Sequence, residues 1–158
     1  ADAVELAVGG RRGLRHGRVG YPAVPRKLTV TTERRTQLVD ITKQVRDAVE
    51  GDGAEGSAVL VYVPHTTAGV TINEHADPAV ARDLESALER MVEDAWPWEH
   101  VEPGEENAPT HVRATVMGPS VVVPLRDDGS LALGTWQGIF FCELDGPRDR
   151  TVYVTPLT

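Results

Sequence analysis

One run constrains the fold more than any other. Ala58-Val59-Leu60-Val61-Tyr62-Val63 is apolar throughout. It is far too short to cross a membrane, so it reads as a central β-strand covered on both faces. It runs straight into Pro64-His65-Thr66-Thr67-Ala68-Gly69-Val70-Thr71-Ile72-Asn73-Glu74. A buried strand therefore ends in a histidine, two hydroxyls and a glycine, and polar groups delivered by a rigid strand are where pockets are built.

The rest of the chain supplies neighbours for that strand. Lys27 to Thr32 alternates Leu28 and Val30 with polar residues, and Gln37 to Val39 is a second short strand. Asp40 or Thr42 can cap a helix that carries Val45, Ala48 and Val49 on one side and stops at Gly51; Gly51 to Gly56 is a loop. Val70 and Ile72 lie on a further strand. Asp77-Pro78 starts a second helix, with an apolar stripe of Val80, Leu84, Ala87, Leu88, Met91 and Ala95 that ends before Pro97. Trp98 to Pro109 reads as a loop, and Thr110 to Met117 as a short helix closed by Gly118. Val121 to Leu125 and Leu131 to Leu133 flank the turn signal Asp127-Asp128-Gly129-Ser130. Ile139 to Leu144 and Thr151 to Thr155 are the last strands. Helices fall between groups of adjacent strands, so the expected class is α+β with mostly antiparallel sheet.

Composition narrows the partners. The 158 residues fit one domain with a core of its own. The net charge of −8 is uneven. Ala1 to Lys27 carries Arg11, Arg12, Arg15, Arg18, Arg26 and Lys27 against Asp2 and Glu5, so the remainder is strongly acidic. An acidic body repels nucleic acid and anionic lipid, so neither is an expected partner. The segment 1–26 is basic, glycine-rich and poor in large apolar groups, which predicts a flexible extension ahead of a domain spanning 27–158. Cys142, the only cysteine, lies in an apolar run and reads as a buried, inert thiol. With no leader pattern in view, this points to a reduced, cytoplasmic setting.

The candidate chemistry is spread along the chain. His65, His75, His100 and His111 stand at turns and helix starts, without any compact metal-binding spacing such as His-Glu-x-x-His. Ordinary hydrogen-bonding histidines are the plainer reading. Glu74 lies nine residues after His65, where a carboxylate can orient a histidine, bind a metal or act as a base. Asp77 is explained by helix capping. Asn107 either caps the third helix or points into a pocket. Glu105 and Glu106 are explained by solvation. Trp136 and Gln137 lie between Gly134 and Gly138; the indole either stacks on a flat heterocycle or fills a core or subunit gap. Arg148 follows Asp145-Gly146-Pro147 and suits a phosphate, a carboxylate or a surface ion pair. Phosphate-loop and Gly-x-Ser-x-Gly patterns are absent from the sequence.

Several separated motifs together resemble the YjbQ, or UPF0047, family. They are His65 to Pro78, Glu105 to His111, Gly118-Pro119-Ser120, Leu133 to Gln137 and Glu143 to Arg148. The resemblance runs from about Lys27 to the C-terminus. It implies an α+β fold with two sheets, a compact homotrimer and a modest, secondary thiamine-phosphate synthase activity. That reaction joins a hydroxymethylpyrimidine diphosphate to a thiazole phosphate and releases pyrophosphate. His75 departs from the family pattern, which more often has Asn, and Trp96-Pro97-Trp98-Glu99-His100 replaces a commoner Tyr-x-His.

On this reading His65, Glu74 and His111 are the catalytic candidates. A divalent metal, Mg or Zn, is held by His65, Glu74, Asp77, His100 and His111. Thr67, Asn73, Asn107, Ser120, Trp136, Gln137 and Arg148 contact a phosphorylated small-molecule substrate. Two alternatives stand beside it: a trimer that binds a metal or metabolite without turnover, and a metal-dependent phosphoester hydrolase.

Overall fold

The computed structural model describes residues 24–50 and 56–157. The extension 1–26 lies almost wholly outside them, as do most of the loop at Gly51 to Gly56 and the expected helix stop at Gly51.

Among the described residues, seven strands form two antiparallel sheets. The first sheet has the order β1-β7-β3-β5, from β1 (Arg26–Thr31), β7 (Asp149–Leu157), β3 (Ala58–Tyr62) and β5 (Ser120–Pro124). The second has the order β2-β6-β4, from β2 (Gln37–Asp40), β6 (Gln137–Glu143) and β4 (Ala68–Glu74). The expected α+β class with antiparallel pairing is what the chain adopts.

The main core lies between the sheets. Val59, Val61, Val123, Val152 and Val154 of the first sheet meet Val70, Ile139 and Phe141 of the second. Helix α1 (Thr42–Glu50) closes this layer with Val45, Ala48 and Val49. The far side of the second sheet is covered by α2 (Pro78–Met91) and α3 (Ala108–Met117). Leu38, Phe140 and Cys142 pack there on Ala81 and Leu84, and Leu144 on Leu88 and Ala114. The buried thiol is inert as expected, because desolvation of the thiolate pushes its pKa well above the usual range.

Leu131 to Leu133 does not form a strand and pairs only through the single bridge of Leu131 to Leu125. Three further expectations need correction. Strand β3 is not covered on both faces within one chain: Val59 and Val61 are buried, whereas Leu60 is half-buried and Tyr62 is 42% exposed. Among the described residues, no helix packs on the outer face of that sheet. Helix α2 stops at Met91 rather than running toward Pro97. Arg113 of α3 is buried and donates to the carbonyls of Glu89 and Val92, and to Asp94, so a cation caps the end of α2. Its buried stripe therefore uses Leu84, Glu85 and Leu88, while Met91 is exposed. Finally, Ala108-Pro109 belong to the first turn of α3, where proline's missing N–H costs nothing, so the preceding loop ends at Asn107.

Candidate functional site

Three connections cross from one sheet to the other at the same end of the molecule. They are 32–36 from β1 to β2, 63–67 from β3 to β4, and 144–148 from β6 to β7. The strand registers force this: Thr31 faces Asp149, while Glu143 faces both Gln37 and Ala68. The crossings are tied by backbone bonds, from Thr32 N to Arg148 O and from Gly146 N to Arg35 O. Gly146 is required for that approach. A Cβ there would lie 2.4 Å from the Arg34 carbonyl oxygen and 2.7 Å from Glu143 Cγ.

A cleft of about 790 Å³ opens over these crossings. Its walls include Arg35, His65, Thr66 and Thr67 on one side, and Asp145, Arg148 and Arg150 beside them. The loop before α3 and the helix itself add Glu105, Glu106, Asn107 and His111. Of the sequence candidates, His65, Thr67, Asn107, His111 and Arg148 are thus brought together. His100 stands behind His111, ring centroids 5.4 Å apart and edge to face, in a shallow groove with Pro97, Trp98 and Val112.

The floor is a buried ionic network. Glu143 is fully buried, and Arg150 is 5% exposed. Arg150 Nε donates to Glu143 Oε2 at 2.8 Å, and its Nη2 donates to Oε1 at 2.6 Å and to Thr67 Oγ1 at 3.0 Å. Glu143 Oε1 also accepts the backbone N–H groups of Leu144 and Asp145, and Thr32 Oγ1 donates to Oε2. Burial alone would raise this carboxyl's pKa, but Arg150 and these donors outweigh it and hold the pKa below the ordinary value.

His65 is equally fixed. The Thr151 N–H donates to its Nε2 at 2.9 Å. A backbone N–H can only donate, so Nε2 carries the lone pair and the ring proton of the neutral form sits on Nδ1. Burial, then the charge of Arg150, lowers the His65 pKa and keeps the ring neutral. Arg148 donates from Nη2 to Asp145 Oδ2, which also accepts from Asn107 Nδ2. Asn107 Oδ1 is buried without a partner among the described residues.

The other candidates lie elsewhere in the chain. Glu74 ends β4 and pairs with Gln137 at the start of β6, and His75 N donates to Trp136 O. Ala68 begins β4 beside the cleft, so six residues of extended chain put Glu74 about 20 Å away. Asn73 accepts the Glu74 N–H with its own side chain. Gln137 is bound to Gly134, and Trp136 is 64% exposed, which removes the core-filling reading of the indole within one chain. Asp77 caps α2 by accepting from Ala79 N. Ser120 starts β5 opposite Tyr62. His75 instead meets Asp40, Nδ1 to Oδ2 at 2.9 Å.

The metal set His65, Glu74, Asp77, His100 and His111 therefore does not fit a single chain. No three of the described His, Cys, Asp or Glu side chains form a cluster that could hold a metal. His65 Nε2 is occupied by an N–H, and Asp77 is spent on its helix. Sequence reasoning named Glu143 only as part of a motif, without a role, and missed Arg35 and Arg150. Arg150 carried a signal: it is in phase with Val152 and Val154, the buried positions of β7. A charge on the core side of a strand requires a buried partner.

Comparison with known proteins agrees with the architecture. The family model described as UPF0047 protein YjbQ-like matches residues 26–158. The UPF0047 protein YugU of Bacillus subtilis is 43% identical over 129 residues, 80% of this chain and 94% of that protein. The UPF0047 protein MJ1081 of Methanocaldococcus jannaschii is 41% identical over 128 residues, 81% of this chain and 90% of that one. A crystal structure of a YjbQ/UPF0047 protein from Clostridium acetobutylicum aligns with a TM-score of 0.78 and 41% identity, covering 84% of this chain and 99% of that chain. The protein APE1520 of Aeropyrum pernix aligns equally well, at 0.78 and 40% identity, over 85% and 98%. The chain belongs to the YjbQ-like UPF0047 family.

Proposed function

We propose that the cleft binds phosphorylated small molecules and that the protein is a slow thiamine-phosphate synthase. The observation that carries this reading is the gathering of Arg35, Arg148, Arg150, His65 and two threonine hydroxyls in one cleft of an otherwise acidic protein, alongside the carboxylates of Glu105, Glu106 and Asp145. Cations and donors converging on a concave surface suit a leaving pyrophosphate. In the reaction the thiazole nitrogen attacks the methylene carbon of the pyrimidine diphosphate. The N–C bond forms, the C–O bond breaks, and pyrophosphate leaves with the electron pair. Arg148 and the donors of His65 and Thr67 would stabilise that charge. No proton transfer to His65 is needed. A divalent cation, magnesium or zinc, would arrive with the diphosphate as part of the substrate.

The proposal includes a homotrimer, working in the cytoplasm. The outer face of the first sheet presents Leu60, Tyr62, Val122 and Tyr153, and Tyr62 stands at the cleft end of β3, two residues before Pro64. A neighbouring copy's Trp136 end, docked on that face, would bring Glu74, Asn73 and Gln137 to this cleft beside His65 and Ser120. The sequence candidates would then share one site made by two copies.

The test is turnover of the two heterocyclic phosphates by chelator-washed protein with metals added back. Product above a heat-killed control is expected. Arg148→Ala should lower turnover by roughly 100-fold, the scale for loss of an electrostatic stabiliser. No product with any of several divalent metals would leave a binding protein without turnover, and hydrolysis of a phosphoester instead would favour the hydrolase.

A further inference from the structure

The polarity of the cleft floor is set from beneath, and this has a consequence for what can bind there. Thr67 Oγ1 accepts from Arg150 Nη2, and its own proton has no acceptor among the described residues. His65 Nε2 accepts from Thr151 N, and Nδ1 has no partner among the described residues. Both side chains line the cleft. A hydroxyl and a neutral imidazole are ordinarily ambivalent, each able to donate or accept. Here a peptide N–H fills the only acceptor site of the His65 ring, and a guanidinium fills one of the two lone pairs of Thr67 Oγ1; neither donor can reverse. Each is left with a proton to give.

We propose that His65 and Thr67 form a proton-donating cradle for a phosphoryl oxyanion, with Glu143 and Arg150 as the positioning residues that orient Thr67. Arg150 does not act as a loose surface charge. Glu143 grips it through both Nε and Nη2, which aims Nη2 at Thr67. Glu143 is itself locked by two backbone N–H groups and Thr32. The charge of the pair is largely cancelled, so its role is orientation. Arg148, half exposed at the rim and paired with Asp145, supplies a further donor. Such a floor favours a fully deprotonated phosphoryl group, which can accept both protons, over a ligand that offers a hydroxyl or amine beside His65, where no acceptor is left. It also removes His65 from the roles of metal ligand and general base, since the lone pair either role needs already accepts the Thr151 N–H.

This inference rests on the phosphorylated-ligand reading, and the experiment separates the two. The full-length protein is used in its native assembly, with inorganic pyrophosphate as the probe. Long-range nitrogen NMR on the ligand-free protein should find the His65 proton on Nδ1 at neutral pH; a proton on Nε2 would overturn the cradle. By calorimetry Thr67→Val should weaken pyrophosphate binding by roughly tenfold or more, the weight of a hydrogen bond to a charged group, while Thr67→Ser retains it. In an Arg150→Lys background, which keeps the charge and loses the fork, the Thr67→Val effect should largely vanish. A Thr67→Val protein that binds as tightly as wild type, with wild-type binding intact, sinks the cradle alone. Failure of the wild-type protein to bind pyrophosphate sinks the phosphate reading and the cradle with it.

Discussion

At the scale of single residues, His65 shows how a side chain's chemistry is chosen by its neighbours. From sequence it is a histidine at the end of a strand, suited equally to metal, base or turn. One backbone N–H decides between them, and nothing local in the sequence announces it: Thr151 is 86 residues away. The lowered pKa carries a stability consequence. The fold holds His65 neutral, whereas the unfolded chain takes up a proton near the ordinary histidine pKa of about 6.5. Its contribution is therefore complete above about pH 6.5 and is lost as pH falls from there toward the folded pKa. We expect the ring's NMR titration midpoint to lie below that of a free histidine. Between about pH 7.5 and 5.5 the wild type should lose more stability to urea than His65→Gln, whose side-chain oxygen can still accept from Thr151 N. A variant with the same pH slope would mean that His65 is not the group responsible.

The elements were more legible than the residues between them. Strand β6, strand β7 and the Asp77-Pro78 helix start followed from alternation and capping, which are local signals. The end of α2 did not, because the buried Arg113 that caps it belongs to another helix. The stripe of α2 was misjudged for a related reason. Glu85 is buried inside it, pairing with both guanidinium nitrogens of Arg34 and accepting from Leu38 N. A carboxylate at that position looks like part of the solvated face until β2 is laid against it. The same holds for the cleft: Thr67 and Arg148 could be nominated by type, but the sheet crossings that unite them depend on pairings set more than a hundred residues apart. Glu85 gives the element-scale prediction. Glu85→Ala leaves the Leu38 N–H without its acceptor and should cost about 2 kcal/mol, whereas Glu85→Gln keeps an acceptor and should cost about half of that. Arg34 is half exposed and can return to water, so no larger penalty is expected. Urea unfolding of the three proteins decides this; equal losses for Ala and Gln would show that the hydrogen bond to β2 contributes little.

At the scale of the whole molecule the open question is what covers the outer face of the first sheet. The alternation of β3 and β5 is only half explained by the chain itself. Val59, Val61 and Val123 fill the core, yet Leu60, Tyr62 and Val122 point the other way, and Val122 is 54% exposed. Strands apolar on both faces belong to sheets with both faces covered. The proposed three-fold ring would supply the cover and would need two different patches on each copy, because rotation through a third of a turn is a heterologous contact. The face around Val122 would be one and the exposed Trp136 end the other. Val122→Asp changes no core contact, so the subunit should still fold. It should nonetheless place a charge inside the interface and split the ring. Light scattering at micromolar concentration should give the wild type three times the chain's 17.1 kDa and the variant a mass close to one chain. Trp136→Ala should weaken the same assembly by removing an aromatic anchor, worth about 2 kcal/mol at the centre of an interface. If two copies build the cleft, both variants should also lose synthase turnover while His65 keeps its Nδ1 proton, since the buried network lies wholly within one chain. A wild type that runs as a monomer would remove the ring, and with it the only route by which Glu74 reaches His65.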